Sequence, residues 1–182
     1  KPVYVPMGKD FNLEMDHYLE ALASRPRIAF LTSPHNPSGQ LVSEADVRRV
    51  CEAAHEDTLV VLDEAYIHYS ETEGSVHRLR HYSNLMVLRT FSKAYGLAGL
   101  RVGYSVSSVA LAELLNRVRQ PFNVNSIAQA AAVAALREHA WLASSVAANQ
   151  QERETLRKGL ADLGLSCLPS RGNFLIAVTG LA

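Results

Sequence analysis

Four short apolar runs decide what this chain can fold into: Ile28 to Leu31, Leu59 to Leu62, Leu85 to Leu88 and Val102 to Val106. They are rich in Val, Leu and Ile and largely lack polar alternation, as suits strands of a sheet covered on both faces. Between the first two lies a helical pattern. Ser43-Glu44-Ala45-Asp46 can cap its start, and Val47, Val50, Cys51 and Ala54 form one apolar stripe. A strand, a helix and a strand in that order make a parallel pair. Further helices are expected over about 108–119, 126–139 and 140–163, the last ending at Gly164 as a C-cap. Two short strands, 165–168 and 174–178, close the pattern.

Ligands of open α/β sheets bind beyond the carboxyl ends of the parallel strands. The first run is followed by Ser33-Pro34-His35-Asn36-Pro37-Ser38-Gly39, the second by Asp63-Glu64-Ala65-Tyr66, and the third by Arg89-Thr90-Phe91-Ser92-Lys93. One sheet edge is therefore expected to present an amide, a carboxylate, a phenol, two hydroxyls and an amine. Arg101 stands eight positions after Lys93. A parallel crossover needs about a dozen residues or more, so the strand beginning at Val102 should run antiparallel. Its start, with Arg101, then lies at the same edge as Lys93.

Lysine among hydroxyls and an arginine points to Schiff-base chemistry beside a phosphate site. A carboxylate at a buried strand end can pair with a protonated ring nitrogen. Pyridoxal phosphate asks for that set: an amine for its aldehyde, an acid partner for its pyridinium, and donors for its phosphate. Taken singly, each residue has an ordinary reading as a loop lysine, a turn asparagine, a capping aspartate, a packed tyrosine or a surface arginine. The combination and its order carry the inference.

The segments Asn36-Pro37-Ser38-Gly39, Asp63-Glu64-Ala65-Tyr66, Thr90-Phe91-Ser92-Lys93 and Gly99-Leu100-Arg101-Val102-Gly103-Tyr104 resemble the fold-type I aminotransferases. Val87 through Arg101, Pro121 through Ser126, and Asn173-Phe174-Leu175 are most similar to the histidinol-phosphate aminotransferase branch. The resemblance implies that Lys93 holds the cofactor as a Schiff base and that Asp63 pairs with the pyridine nitrogen. It implies that Asn36 and Tyr66 bind the ring's phenolic oxygen, and that Thr90, Ser92 and Arg101 hold the phosphate. Lys93, Asp63 and Tyr66 are the catalytic candidates. It also implies a homodimer catalysing transamination between an amino acid and a 2-oxo acid, of the histidinol-phosphate or aromatic amino acid type. His35 and Ser38 depart mildly from the branch, which often has Asn and Thr there. The family's upstream phosphate turn, its ring-stacking aromatic and its carboxylate-binding arginine have no match in these residues. Two alternatives stay open: a threonine-phosphate decarboxylase, and the aminotransferase-like effector domain of a transcription regulator, which would need a DNA-binding domain upstream.

The expected fold class is α/β: a mostly parallel sheet with one antiparallel strand and helices on both faces, the large domain of a pyridoxal-phosphate transferase, plus the start of a smaller α+β domain. Composition shifts near Trp141, which places the large domain at 1–140 and the beginning of the small one at 141–182. The chain opens on Lys1-Pro2-Val3, read as the start of a strand, and stops at Leu181-Ala182 just after an apolar run. Both ends look cut, as in a fragment. Eighteen basic residues balance 18 acidic ones, so charge gives no argument for nucleic acid or an anionic membrane. The apolar runs are far too short to span a bilayer. Cys51 and Cys167 are expected as free thiols in a reducing, cytoplasmic compartment. His17, His55, His68, His77, His81 and His139 have no metal-ligand spacing and are read as surface or loop residues.

Overall fold

The computed structural model describes residues 1–9 and 11–180. Strand β1 (Ile28–Thr32), helix α2 (Glu44–Ala53) and strand β2 (Leu59–Asp63) form the expected strand-helix-strand unit, preceded by helix α1 (Met15–Leu22). Strand β3 (Leu85–Thr90) adds to β2, and β4 (Gly103–Val106) adds to β3. The sheet order is β1-β2-β3-β4; the first two pairings are parallel and the last is antiparallel, as the short Lys93-to-Arg101 connection requires.

The core forms where one face of the sheet meets two helices. Ala29, Leu31, Val60, Leu62, Leu85 and Val87 pack with Tyr18 and Leu22 of α1 and with Val47, Val50 and Cys51 of α2. Each fully buried aliphatic side chain of this kind stabilises the fold by about 1.5–3 kcal/mol. Ser43 begins α2 as expected, its hydroxyl accepting from the Asp46 amide at 3.0 Å. Tyr18 donates to the Phe30 carbonyl at 2.9 Å, and its burial pushes the phenol pKa up to about 12.

Several elements differ from the sequence expectation. The N-terminal segment makes a single bridge, Met7 to Leu13, and no strand at Lys1 to Val3. Pro2 and Pro6 lack the amide donors a ladder needs. In β1, Ile28 and Phe30 are exposed, so that strand alternates instead of being covered twice. The expected helix over 126–139 stops at Ala135 as α4 (Ser126–Ala135). Arg137 and Glu138 then bond back three residues, a tight turn that lets α5 (His139–Asp162) set off anew. Helix α3 (Val109–Val118) matches its expected span closely. Gly164, at φ +79°, follows the end of α5 in the left-handed conformation that glycine supplies. The last strands shorten to β5 (Ser166–Cys167) and β6 (Ala177–Val178), an antiparallel pair separate from the main sheet.

Phe91, Tyr95 and Val102 from the β3–β4 connection pack with Ala128 and Ala132 of α4 in a second core. That packing fixes the segment carrying Lys93. Among the described residues, no helix is long and apolar enough to cross a membrane.

Candidate functional site

The carboxyl ends of β2 and β3, with the start of β4, border an open cavity of about 550 Å³ lined by Asp63, Thr90, Ser92, Lys93, Arg101 and Gly103 among others. A larger cavity, about 810 Å³, lies between the N-terminal segment, α1 and β1. Its lining is mainly apolar, including Val3, Leu13, Met15, Leu22 and Phe30. The smaller cavity is the chemical one, because that is where the ionisable and hydroxyl groups converge.

Asp63 ends β2, and its Oδ1 accepts from the Ala65 amide at 2.9 Å. That bond tightens the turn after the strand and orients the carboxylate. Thr90 ends β3, and its Oγ1 accepts from the Ser92 amide at 3.0 Å, bending the chain so that Lys93 follows at once. The Lys93 ammonium lies 5.1 Å from the centre of the Tyr66 ring, within cation–π range. Asn36 Nδ2 donates to Tyr66 Oη at 2.9 Å, although the two residues are thirty positions apart. Arg101 stands immediately before Val102 and Gly103. Its Nη1 donates to the Ala98 carbonyl at 2.8 Å and reaches Ser92 Oγ at 3.4 Å. Its backbone is left-handed, φ +53°, which for a non-glycine residue costs on the order of 1–3 kcal/mol. Gly103 faces the Arg89 carbonyl so closely that an added Cβ would lie 2.9 Å from that oxygen.

All seven residues singled out from the sequence thus gather around the sheet edge. Asp63, Thr90, Ser92, Lys93 and Arg101 line the cavity directly. Tyr66 and Asn36 join through the ring of Tyr66, which also meets Phe174 edge-on at 5.1 Å. Burial, then the neighbouring Tyr66, raises the pKa of Tyr69, while a hydrogen bond with Asn173 opposes the rise.

Sequence reasoning missed a polar cluster beside the site, of which Arg89 also lines the cavity. Glu64 is buried and pairs with Arg89, whose Nε and Nη2 donate to Glu64 Oε2 at 3.0 and 2.8 Å. One signal pointed to it: a carboxylate next to Asp63 on a strand must face the opposite way, and a buried carboxylate needs a partner. His68 is also a correction. It is half-buried, its Nδ1 is buried without a hydrogen-bond partner among the described residues, and its ring meets Tyr95 at 5.0 Å. Burial, then the Arg89 charge, pushes its pKa down to about 4.

A mixed sheet with a lysine, a carboxylate and a guanidinium at one edge is the architecture of the pyridoxal-phosphate transferase fold. A histidinol-phosphate aminotransferase from Sinorhizobium meliloti, solved in complex with pyridoxal-5'-phosphate, superposes with a TM-score of 0.93 and 33% identity, covering 100% of this chain and 50% of that one. The chain belongs to the aminotransferase class I and II family, whose model matches residues 1–181. A histidinol-phosphate aminotransferase from Anaeromyxobacter sp. is 46% identical over 178 residues, 96% of this chain and 49% of that protein. The enzyme of the same description from Methylobacillus flagellatus is 48% identical over 171 residues, 92% of this chain and 46% of its own length. The chain therefore spans about half the length of the curated relatives it matches.

Proposed function

We propose that this chain is part of a pyridoxal-phosphate-dependent aminotransferase of the histidinol-phosphate type, moving an amino group between an amino acid and a 2-oxo acid. The observation that carries the reading is the convergence of Asp63, Thr90, Ser92, Lys93 and Arg101 on one cavity. The residues fit the cofactor: one amine, one carboxylate, and hydroxyls with a guanidinium, all lining the same cavity.

When bound, pyridoxal phosphate supplies a protonated ring that draws electrons from the bonds at the substrate α-carbon. The protein's own groups do the rest. The Asp63 carboxylate holds the proton on the ring nitrogen. Tyr66 Oη accepts from Asn36, which leaves its own O–H free to donate to the ring oxygen. Thr90, Ser92 and Arg101 bind the phosphate, two hydroxyl donors and one fixed cation. The Lys93 amine would hold the cofactor and would carry the proton at the α-carbon.

A division of the chain at about residue 140, with α5 and the β5–β6 pair opening the small domain, belongs to the same reading; the separate pairing of those two strands supports it. So does a homodimer, supported by the exposed apolar side chains Val118, Phe122 and Ile127. A cytoplasmic location is supported by the two free cysteines. A second reading, decarboxylation, has its own support: L-threonine-O-3-phosphate decarboxylase from Porphyromonas gingivalis is 28% identical with a TM-score of 0.69 over 80% of this chain.

Product analysis of the whole protein with cofactor separates the two. Supplied with histidinol phosphate and a 2-oxo acid, it should form a new amino acid mole for mole with loss of the donor amine. Carbon dioxide release from a phosphorylated amino acid would favour the second reading instead.

A further inference from the structure

The buried pair Glu64–Arg89 sits one residue from two groups of the site. Glu64 follows Asp63 at the end of β2, and Arg89 precedes Thr90 at the end of β3. The two strand ends are already joined by the Glu64 amide donating to the Leu88 carbonyl at 2.9 Å. The side chains add a second tie. Glu64 is 1% exposed and Arg89 15%. Both donors that Arg89 directs at Glu64 land on Oε2, while Oε1 accepts from the Ser75 amide at 2.6 Å. Arg89 Nη2 also donates to the Glu73 carbonyl at 2.8 Å.

The loop 73–75 closes directly over this pair. Gly74 has φ +77°, and a Cβ there would lie 2.5 Å from Glu64 Oε2 and 2.6 Å from Arg89 Nη2. Only glycine satisfies both the backbone and the space. Buried ion pairs seldom add net stability over an apolar pair of the same shape. What this one adds is geometry. Asp63 and Thr90 come from different strands, and a shift of one strand end against the other changes the spacing between them. Reactions in sites lose rate and affinity steeply when groups move by about 1 Å.

We propose that Glu64 and Arg89 are positioning residues: their ion pair fixes the ends of β2 and β3 so that Asp63 meets the cofactor ring and Thr90 its phosphate at the same time. This rests on the cofactor reading given above.

The test uses the full-length protein and pyridoxal phosphate. Glu64→Gln keeps the shape and removes the charge; Arg89→Lys keeps the charge and removes the fork. Each should raise the Kd for pyridoxal phosphate roughly 10–100-fold, the range that loss of the outer partners of metal ligands produces. Each should also weaken the visible circular dichroism of the bound cofactor, which reports a fixed ring orientation. The gain in Tm on adding cofactor should shrink with the affinity. A brace serving only the fold would lower the Tm of the apo-protein and leave Kd and dichroism as in the native protein; that result overturns the proposal. Failure of both variants to fold also counts against it, since the pair would then serve the fold before the site. Native protein that binds no pyridoxal phosphate rejects the cofactor reading itself, a distinct outcome.

Discussion

Burial gives His68 a property its sequence position conceals. It follows Tyr66 and Ile67 in a short 3-10 turn, Ile67–Tyr69, and looks like a loop residue in the sequence. The ring instead packs on Tyr95, close enough to Arg89 for that charge to disfavour protonation. Its folded pKa, about 4, lies below the ordinary 6.5. The unfolded chain therefore takes up the proton first as pH falls. The stability contributed by neutral His68 is complete above about pH 6.5 and drains away between there and about pH 4. His68→Phe keeps a ring against Tyr95 and removes the titration, so its stability should change less over that window. Urea unfolding at a series of pH values measures this, and parallel curves for native and variant would refute it. Lys93 and Asp63 were legible because three neighbouring strand ends carry complementary polar groups in one order, although singly each reads as a loop or capping residue. Glu64, Arg89 and His68 were not, because their meaning depends on which distant side chains enclose them.

The most informative element is the pair β3 and β4. Its antiparallel sense followed from the short connection alone, and the register sets Thr90 opposite Gly103. That register is why a glycine is needed: the Arg89 carbonyl and Thr90 crowd the position where a Cβ would go. Gly103→Ala should push β4 away from β3 and cost about 1–3 kcal/mol, as overpacking does. Cofactor affinity should fall with it, because Thr90 and Arg101 flank the displaced strand. Thermal melts of apo- and holo-protein test this, and an unchanged Tm would show that the strands adjust freely. Helix α1 escaped the sequence reading although Met15, Tyr18 and Leu22 repeat at helical spacing, because its N-cap position, Glu14, makes no side-chain cap. The break between α4 and α5 was expected at 139–140, a few residues late, because neither glycine nor proline marks residues 136–138.

On the scale of the molecule, the order of strands and their polar ends sufficed to foresee a mixed sheet whose polar groups gather at one edge. The exposure of Ile28 and Phe30 was not legible, because a short apolar run reads the same whether one face of a strand is covered or both. The whole account turns on one bond, between pyridoxal phosphate and Lys93. Borohydride reduction of the full-length protein with cofactor, followed by peptide mass analysis, fixes that bond permanently. A reduced pyridoxyl group is expected on Lys93 and none on Lys9 or Lys158. An adduct on another lysine, or none at all, would contradict it.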